Sequence, residues 1–276
     1  MLRRSPLTAE TISDRGSRSP ARRAGTQRAV ARLIAFVIFA IIWQLFADAA
    51  GGLLIPTFTE TVVALFGLLS NSELWEGLVV SNQALAIGFV FSVVVGIPVG
   101  LLMGRFQTLE RIANPYINIM LVTPMAAVIP LLVMSVGIDL TARAILVVLF
   151  ALPMVIVNTR AGVRQVDQRL IEMARSYNAN ERQIWWRILL RGAMPGVMAG
   201  VRIGLGRGIT GMVVVELLMV SVGLGGLILD FRAFFRVADL YAVVIVVVLE
   251  ALVLVSAARW IERKVIPWAA TEPLTA

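Results

Sequence analysis

Residues 167–195 read DQRLIEMARSYNANERQIWWRILLRGAMP, an arginine-rich amphipathic stretch between apolar runs long enough to prefer a bilayer to water. Asp167 suits the N-cap of a helix through Leu170, Ile171, Ala174 and Tyr177, because its carboxylate can accept the unpaired N–H groups of the first turn. Asn178, Ala179 and Asn180 supply a turn, since asparagine tolerates the left-handed backbone. Asn180 with Gln183 three residues later reads as a capping-box variant, opening a second helix through Ile184, Trp185, Ile188 and Leu189. The spacing predicts a helix near the membrane surface, a tight turn, and a helix leading back in. Such an elbow is poorly suited to crossing lipid and well suited to docking a soluble partner.

The chain has 276 residues, 59% hydrophobic and 15% charged, with a mean hydropathy of +0.87. Soluble domains carry about 25% charged residues, so the deficit points to a membrane protein. His and Cys are both absent, which excludes zinc sites of the usual N/S kind, thiol nucleophiles, haem attachment and disulfides. The one lysine, Lys264, follows Arg263, so no G-x-x-x-x-G-K-[ST] loop exists and the chain has no P-loop with which to hydrolyse ATP. The net charge of +8 does not mark a nucleic-acid binder, because the basic residues lie in short segments between apolar runs and not on one soluble face.

A hydrocarbon core of about 30 Å takes roughly 20 helical residues. Six runs are candidates: 30–47, 78–103, 116–138, 144–158, 196–220 and 240–258. The fourth is short, and Arg143 and Arg160 flanking it have stems long enough to snorkel to the interface. Of the 25 Lys and Arg residues, eight lie in the N-terminal region up to Arg32, none lies in the connection 48–77, two lie in 104–115, one lies near Asp139, and seven lie from Arg160 to Arg191. Arg232 and Arg236 follow the fifth run; Arg259, Arg263 and Lys264 close the sixth. Rich and poor connections alternate, so the positive-inside rule places both termini and the elbow in the cytoplasm and requires an even number of spans. Ala47-Asp48-Ala49 has the look of a signal-peptidase site, but a leading region of 32 residues is long for a secretory signal, and an uncleaved first span is expected. Residues 1–29 are expected to form a disordered basic cytoplasmic tail, 30–262 the transmembrane domain, and 263–276 a second cytoplasmic tail.

E-M-A-R-S-Y-N-A-N at 172–180, I-W-W-R-I-L-L at 184–190 and A-M-P-G at 193–196 resemble the EAA loop of ABC importer permeases. Glu172, Ala174, Ile184 and Leu190 match that pattern; Asn178 stands where the family usually has Gly, and Arg191 where it usually has Pro. Asparagine keeps the left-handed turn accessible, and Pro195 is left as the helix-starting proline. I-P-T-F-T-E-T-V at 55–62, G-I-P-V-G-L-L-M-G-R at 96–105, T-P-M-A-A-V-I-P-L at 123–131, N-T-R-A-G-V-R-Q-V-D at 158–167 and G-L-G-G-L-I at 223–228 resemble the nitrate/sulfonate/taurine group of such permeases. The likeness runs from about residue 30 to 262.

The resemblance implies an all-α integral membrane protein with six transmembrane helices, the fold of a type I ABC importer transmembrane domain, in a bacterial inner membrane. Its core would span about 74–260 and its coupling loop 167–195. It implies a transport subunit and not an enzyme. Cytoplasmic ATPase subunits would use ATP-Mg, an extracytoplasmic solute-binding protein would deliver the solute, and a second permease copy would complete a homodimer. The chain itself would sit in membrane lipid, bind no cofactor or metal, and have no nucleic-acid partner. The expected solute is small: nitrate, a sulfonate, taurine or a pyrimidine-precursor-like compound. The implied ATPase-coupling residues are Glu172, Ala174, Arg175, Tyr177, Asn178, Ala179 and Glu181. Among them Glu172 would act electrostatically and as a helix cap, Ala174 would permit close approach, and Tyr177 with Trp185 would anchor the loop. Read without the resemblance, the same stretch is a surface helix whose arginines meet anionic lipid head groups; the two readings are compatible.

Gly192, Gly196, Gly200, Gly204 and Gly208 recur every four residues, as do Gly96, Gly100 and Gly104. Small residues at that spacing let helix backbones approach closely, either within one chain or near a subunit interface or pathway. Pro124 and Pro130 are expected to break the third run, and Pro98 and Pro153 to interrupt the second and fourth. Because broken helices line transport sites, Thr123, Pro124 and Pro130 are path candidates, with a purely structural kink as the other reading. Glu216 and Glu250 are intramembrane carboxylates, which must face protein or water. The resembling family also tends to have Glu at position 216, which puts Glu216 ahead of Glu250, with Arg202 or Arg207 as possible partners. Asn82 and Gln83 are further cavity candidates, and Ala84 stands where family members often have Arg. A proton-coupled secondary transporter would use Glu216 or Glu250 but leaves the elbow unexplained. An intramembrane enzyme finds no nucleophile, metal set or carboxylate pair at catalytic spacing.

Overall fold

The computed structural model describes residues 20–51, 54–218 and 222–268. Every regular element among the described residues is helical. In chain order these are α1 (Pro20–Ala49), α2 (Phe58–Leu69), α3 (Ser72–Arg105), α4 (Gln107–Val122), α5 (Met125–Val136), α6 (Leu140–Arg164), α7 (Gln168–Ser176), α8 (Glu181–Gln183) with a π-helical turn (Ile184–Leu189), α9 (Leu190–Leu218), α10 (Gly223–Ala233) and α11 (Val237–Val265). Parts of α1, α3, α6 and α11 are each long and apolar enough to cross a membrane, and two bent pairs bring the total to as many as six: Gln107–Val122 with Ala127–Val136 at 106°, and Glu181–Leu218 with Gly223–Ala233 at 43°.

The interior is a three-helix stack with α6 between α3 and α9. Glycine makes the stack tight. A Cβ on Gly104 of α3 would lie 2.5 Å from Val163 Cβ, and one on Gly100 would lie 2.6 Å from Thr159 Cβ. On the other flank, a Cβ on Gly196 of α9 would lie 2.5 Å from the Gly162 Cα, far inside the roughly 3.5–4 Å at which carbons rest. The β-branched row Val155, Thr159 and Val163 thus fills the groove that the α3 glycines leave. The α9 ridge packs within the chain, onto α6. That is the first of the two readings of its spacing, packing within one chain.

Several expectations are corrected. Residues 20–29 are helical and not a disordered tail, with Pro20 at the first position, where its missing N–H has no helical partner to lose; 1–19 lie outside the described residues. At the other end α11 runs to Val265, past the expected boundary at 263, and 269–276 lie outside the described residues. The fourth span is not short, since α6 has 25 residues. Arg143 and Arg160 lie inside it and bond protein groups instead of snorkelling: Arg143 donates to the Val80 carbonyl at 3.3 Å, and Arg160 to Asn114 Oδ1 at 2.6 Å. Of the four prolines expected to break or interrupt a span, only Pro124 ends a helix, because it forces Thr123 before it into extended backbone at ψ 127°. Pro98, Pro130, Pro153 and Pro195 sit inside helices, each removing one backbone bond that the flanking turns survive. Pro195 therefore starts nothing.

The described residues fall into two units, one ending at Thr59 and one beginning at Glu60. Within the first, Trp43 Nε1 donates to the Pro56 carbonyl at 3.0 Å, and Gln44 Oε1 accepts from the Thr59 N–H at 3.2 Å. Within the second, α10 and the later part of α2, neither anticipated from sequence, close a small core with α3 and α11 through Leu68, Leu74, Leu224, Phe231 and Val243. Leu33, Phe36, Ile42 and Leu45 of α1 and Leu249, Leu252 and Val253 of α11 are exposed, an arrangement water would disfavour and lipid would not.

Candidate functional site

Local hydrogen-bond motifs shape the elbow. Asp167 caps α7 by accepting from the Arg169 N–H at 2.9 Å. At the other end of α7 the Ala179 N–H reaches the Ala174 carbonyl and the Asn178 N–H the Arg175 carbonyl, both at 2.9 Å, the paired bonds of a Schellman stop. Asn178 occupies its left-handed position at φ 57°. Asn180 then accepts from the Gln183 N–H while Gln183 Oε1 accepts from the Asn180 N–H, both at 2.9 Å. The capping box read from sequence is complete.

Beneath these caps the elbow has its own core of Ile171, Ile184 and Leu189 against Val163 and Ala193, with Ala174, Ala179 and Trp185 packed onto it. Ala174 is half-buried, with one side against this core. Tyr177, expected to anchor the loop, is 83% exposed; with Leu170 and Met173 it forms an apolar stripe on the outward side of α7. Glu172 is exposed and has no ion pair or side-chain hydrogen bond among the described residues. It caps nothing, since Asp167 holds that position. Glu181 instead pairs with Arg175 at 2.9 Å and Arg105 at 3.6 Å. The Arg175 hydrogen bond, with help from Arg105, holds the Glu181 carboxyl below its ordinary range. Its ion pairs thus hold through neutral pH and fade only as pH falls through that lowered value.

The intramembrane carboxylates occupy two different environments. Glu216 is fully buried and accepts from Ser81 Oγ at 2.7 Å and from the Gly225 N–H at 3.0 Å, while Ser81 Oγ accepts from the Leu224 N–H at 3.0 Å. The start of α10 is thereby tied to α9 and α3. The G-L-G-G sequence makes room: Gly223 has φ 66°, and a Cβ at Gly223 or Gly225 would run into Ser81 or Glu216. Arg202 and Arg207 are not its partners. Fourteen residues of helix put Arg202 about 21 Å away along the axis, and Arg202 pairs with Glu262 of α11 at 2.5 Å.

Asn82, next to Ser81, turns the other way and donates to Glu250 Oε1 at 2.5 Å. The pair lines a largely apolar cavity of about 590 Å³ with Leu65, Trp75 and Val253, and Gln83 is exposed. Thr123 Oγ1 donates to its own helix at the Ile119 carbonyl, 2.6 Å away, and Pro124 and Pro130 are exposed. Ile129 and Val215, neighbours in sequence of Pro130 and Glu216, pack together with Leu146, while Pro130 turns to the surface and Glu216 to the interior. The five path candidates are therefore not gathered around one chamber in this conformation. Ser81, the residue that organises Glu216, was missed; asking which hydroxyl on another span could satisfy a buried carboxylate would have raised it.

The family described as binding-protein-dependent transport system inner membrane component matches residues 96–268, a range that contains the elbow and both carboxylates. The putative aliphatic sulfonates transport permease protein SsuC of Bacillus subtilis (strain 168) is 31% identical over 238 residues, 86% of each chain. The taurine transport system permease protein TauC of Escherichia coli (strain K12) is 32% identical over 198 residues, 72% of each chain. A solved chain of the MetNI methionine ABC transporter in an inward-facing form matches with a TM-score of 0.57 at 24% identity, covering 70% of this chain and 94% of that one. That likeness concerns the fold.

Proposed function

The chain belongs to the family of binding-protein-dependent transport system inner membrane components, and from that premise we propose how it is driven and what it carries. It is the multi-pass permease of an ABC importer in the plasma membrane, a transport subunit and not an enzyme. ATPase and binding-protein partners go with such a permease as a class.

In our reading the elbow is the dock for the ATPase, which alone holds ATP-Mg. Both chain termini face the cytoplasm with it. One observation carries this: an outward face with Leu170, Met173 and Tyr177 exposed beside an unpaired Glu172, standing on a core shared with the ends of α6 and α9. Apolar residues ringed by charge suit a protein partner, and a rigid, capped elbow passes on displacement instead of absorbing it. Two copies of the chain, related by a two-fold axis, would enclose the path, each gripping one ATPase. The sulfonate and taurine relatives support a small organosulfonate as solute.

The experiment is Glu172→Lys in the complex reconstituted with its ATPase and binding protein. Membrane insertion should be unchanged and ATP hydrolysis retained, while uptake of labelled taurine or a short alkanesulfonate falls about tenfold, within the usual range of a coupling between sites. Uptake equal to that of the parent chain would remove Glu172 from the dock.

A further inference from the structure

Two groups of ion pairs flank the corner where α3 becomes α4. On one side, Glu181 of the elbow reaches Arg105, the last residue of α3, at 3.6 Å. Phe106 forms the corner in extended backbone at φ −113° and ψ 107°, and its ring lies 6.1 Å from that of Trp185. On the other side, Glu110 in the first turn of α4 pairs with both Arg160, at 3.3 Å, and Arg164. Arg160 also donates to Asn114 Oδ1 at 2.6 Å, one turn further along α4. Arg160 and Arg164 lie in the last turns of α6, just before Asp167 opens the elbow. Glu181 thus ties the turn of the elbow to the end of α3, and the end of α6 that leads into the elbow holds the base of α4.

The two grips differ in kind. Glu110 and Arg160 are only 15% and 18% exposed, so this pair is shielded, whereas Glu181 is 59% exposed and Arg105 21%. Apolar packing of Ile117 against Met103 and Ile156 is non-directional and tolerates sliding. A carboxylate held by two guanidinium groups fixes register as well as distance. Past Ile117 the last turn of α4 is bare: Ile119 is exposed, and Val122, at its far end, is 82% exposed. Directly after Val122 comes the Thr123–Pro124 break. The helix is held at its base and free at its tip.

We propose that Glu110 is the positioning residue through which movement of the elbow reaches α4, so that its tip and the Thr123–Pro124 break follow the stroke of the ATPase. The inference rests on the reading of the elbow as the ATPase dock and adds the route from there into the membrane. Glu110 touches neither solute nor ATPase; it acts through α4.

The test uses the absence of cysteine from the chain, which makes Val122→Cys a unique thiol. In the complex with its ATPase in lipid nanodiscs, maleimide labelling of that thiol is timed with and without ATP plus vanadate. The rate should change several-fold with nucleotide in the chain with Glu110 intact, in the usual range of a coupling between sites. With Glu110→Gln added, that change should vanish while the ATPase still co-purifies and hydrolyses ATP, and Glu110→Asp should restore it. Persistence of the nucleotide effect in Glu110→Gln overturns the proposal, as does its absence with Glu110 intact. Loss of co-purification in Glu110→Gln alone also overturns it, by making Glu110 part of the dock. If the ATPase fails to co-purify even with Glu110 intact, the docking reading falls, and this one with it. Should Glu110→Gln not accumulate in the membrane, Arg164→Met, at a side chain 54% exposed, takes its place with the same outcomes.

Discussion

The α3–α6–α9 stack and the elbow joined to it are held by opposite means. In the stack the backbones nearly touch, with Gly196 against Gly162 and Gly104 against Val163, and shape carries the specificity. In the elbow, a small apolar core is framed by caps and ion pairs that set its form: Asp167 on Arg169, Asn180 with Gln183, Glu181 between Arg175 and Arg105. A structure held by shape resists deformation until it fails as a whole. One held by directional bonds keeps its own form while moving as a unit. With the elbow as the proposed dock, that contrast suits a permease whose interior must stay knit while its handle is pushed.

The strongest way to break the contrast is Gly196→Leu. There is no space at that position, so either α6 or α9 must shift, at about 3 kcal/mol for overpacking. Thermal unfolding in detergent should show a large loss, with little folded protein recovered from the membrane. A variant as stable as the parent would mean that the two backbones are not in contact there, and the stack would lose its explanation.

Glu216 tests the boundary between the two regimes, because it is a directional tether set inside the shape-packed region. Glu216→Ala leaves the Ser81 hydroxyl and the Gly225 N–H without their acceptor, a cost of about 2 kcal/mol for buried groups. Glu216→Gln keeps one acceptor oxygen and should lose about half as much. The same unfolding measurement separates them, and equal stability for Glu216→Ala and the parent would show that α10 is held by packing alone.

What was legible in the sequence follows the same division. The elbow's caps depend on residues three or so apart, so Asn180 with Gln183 and Asn178 at the left-handed position could be read directly. The glycine ridge was legible as a demand for close approach, but spacing says nothing of which helix approaches, and α6 emerged only in the fold. Glu216 and Ser81 are 135 residues apart; no local pattern joins them, and the guess of Arg202 failed on helix length. The face that Tyr177 takes could not be read, because Leu170 and Ile171 offer two registers for the apolar side of α7. The core takes Ile171 and Ala174, which turns Leu170, Met173 and Tyr177 outward. The helices α2 and α10, of 12 and 11 residues, are too short to register as spans and were read as connections.

The smallest effect sharpens the elbow half of the comparison. Asn178 holds φ 57°, a conformation that costs a β-branched residue about 1–2 kcal/mol and glycine nothing. Asn178→Val should therefore weaken the Schellman stop by about 1 kcal/mol, while Asn178→Gly, the residue usual in the resembling permeases, should leave it intact. The direct reporter is the Ala179 amide, whose bond to the Ala174 carbonyl closes the turn. Its hydrogen exchange should quicken about fivefold to tenfold in Asn178→Val, by the conversion of about 1.4 kcal/mol per factor of ten, and stay near the parent rate in Asn178→Gly. Because this cost is local, the unfolding temperature of the whole bundle should barely move. If Asn178→Val instead lowered it as far as Gly196→Leu does, elbow and stack would be one cooperative unit, and the picture of a rigid handle on a separately packed interior would have to be given up.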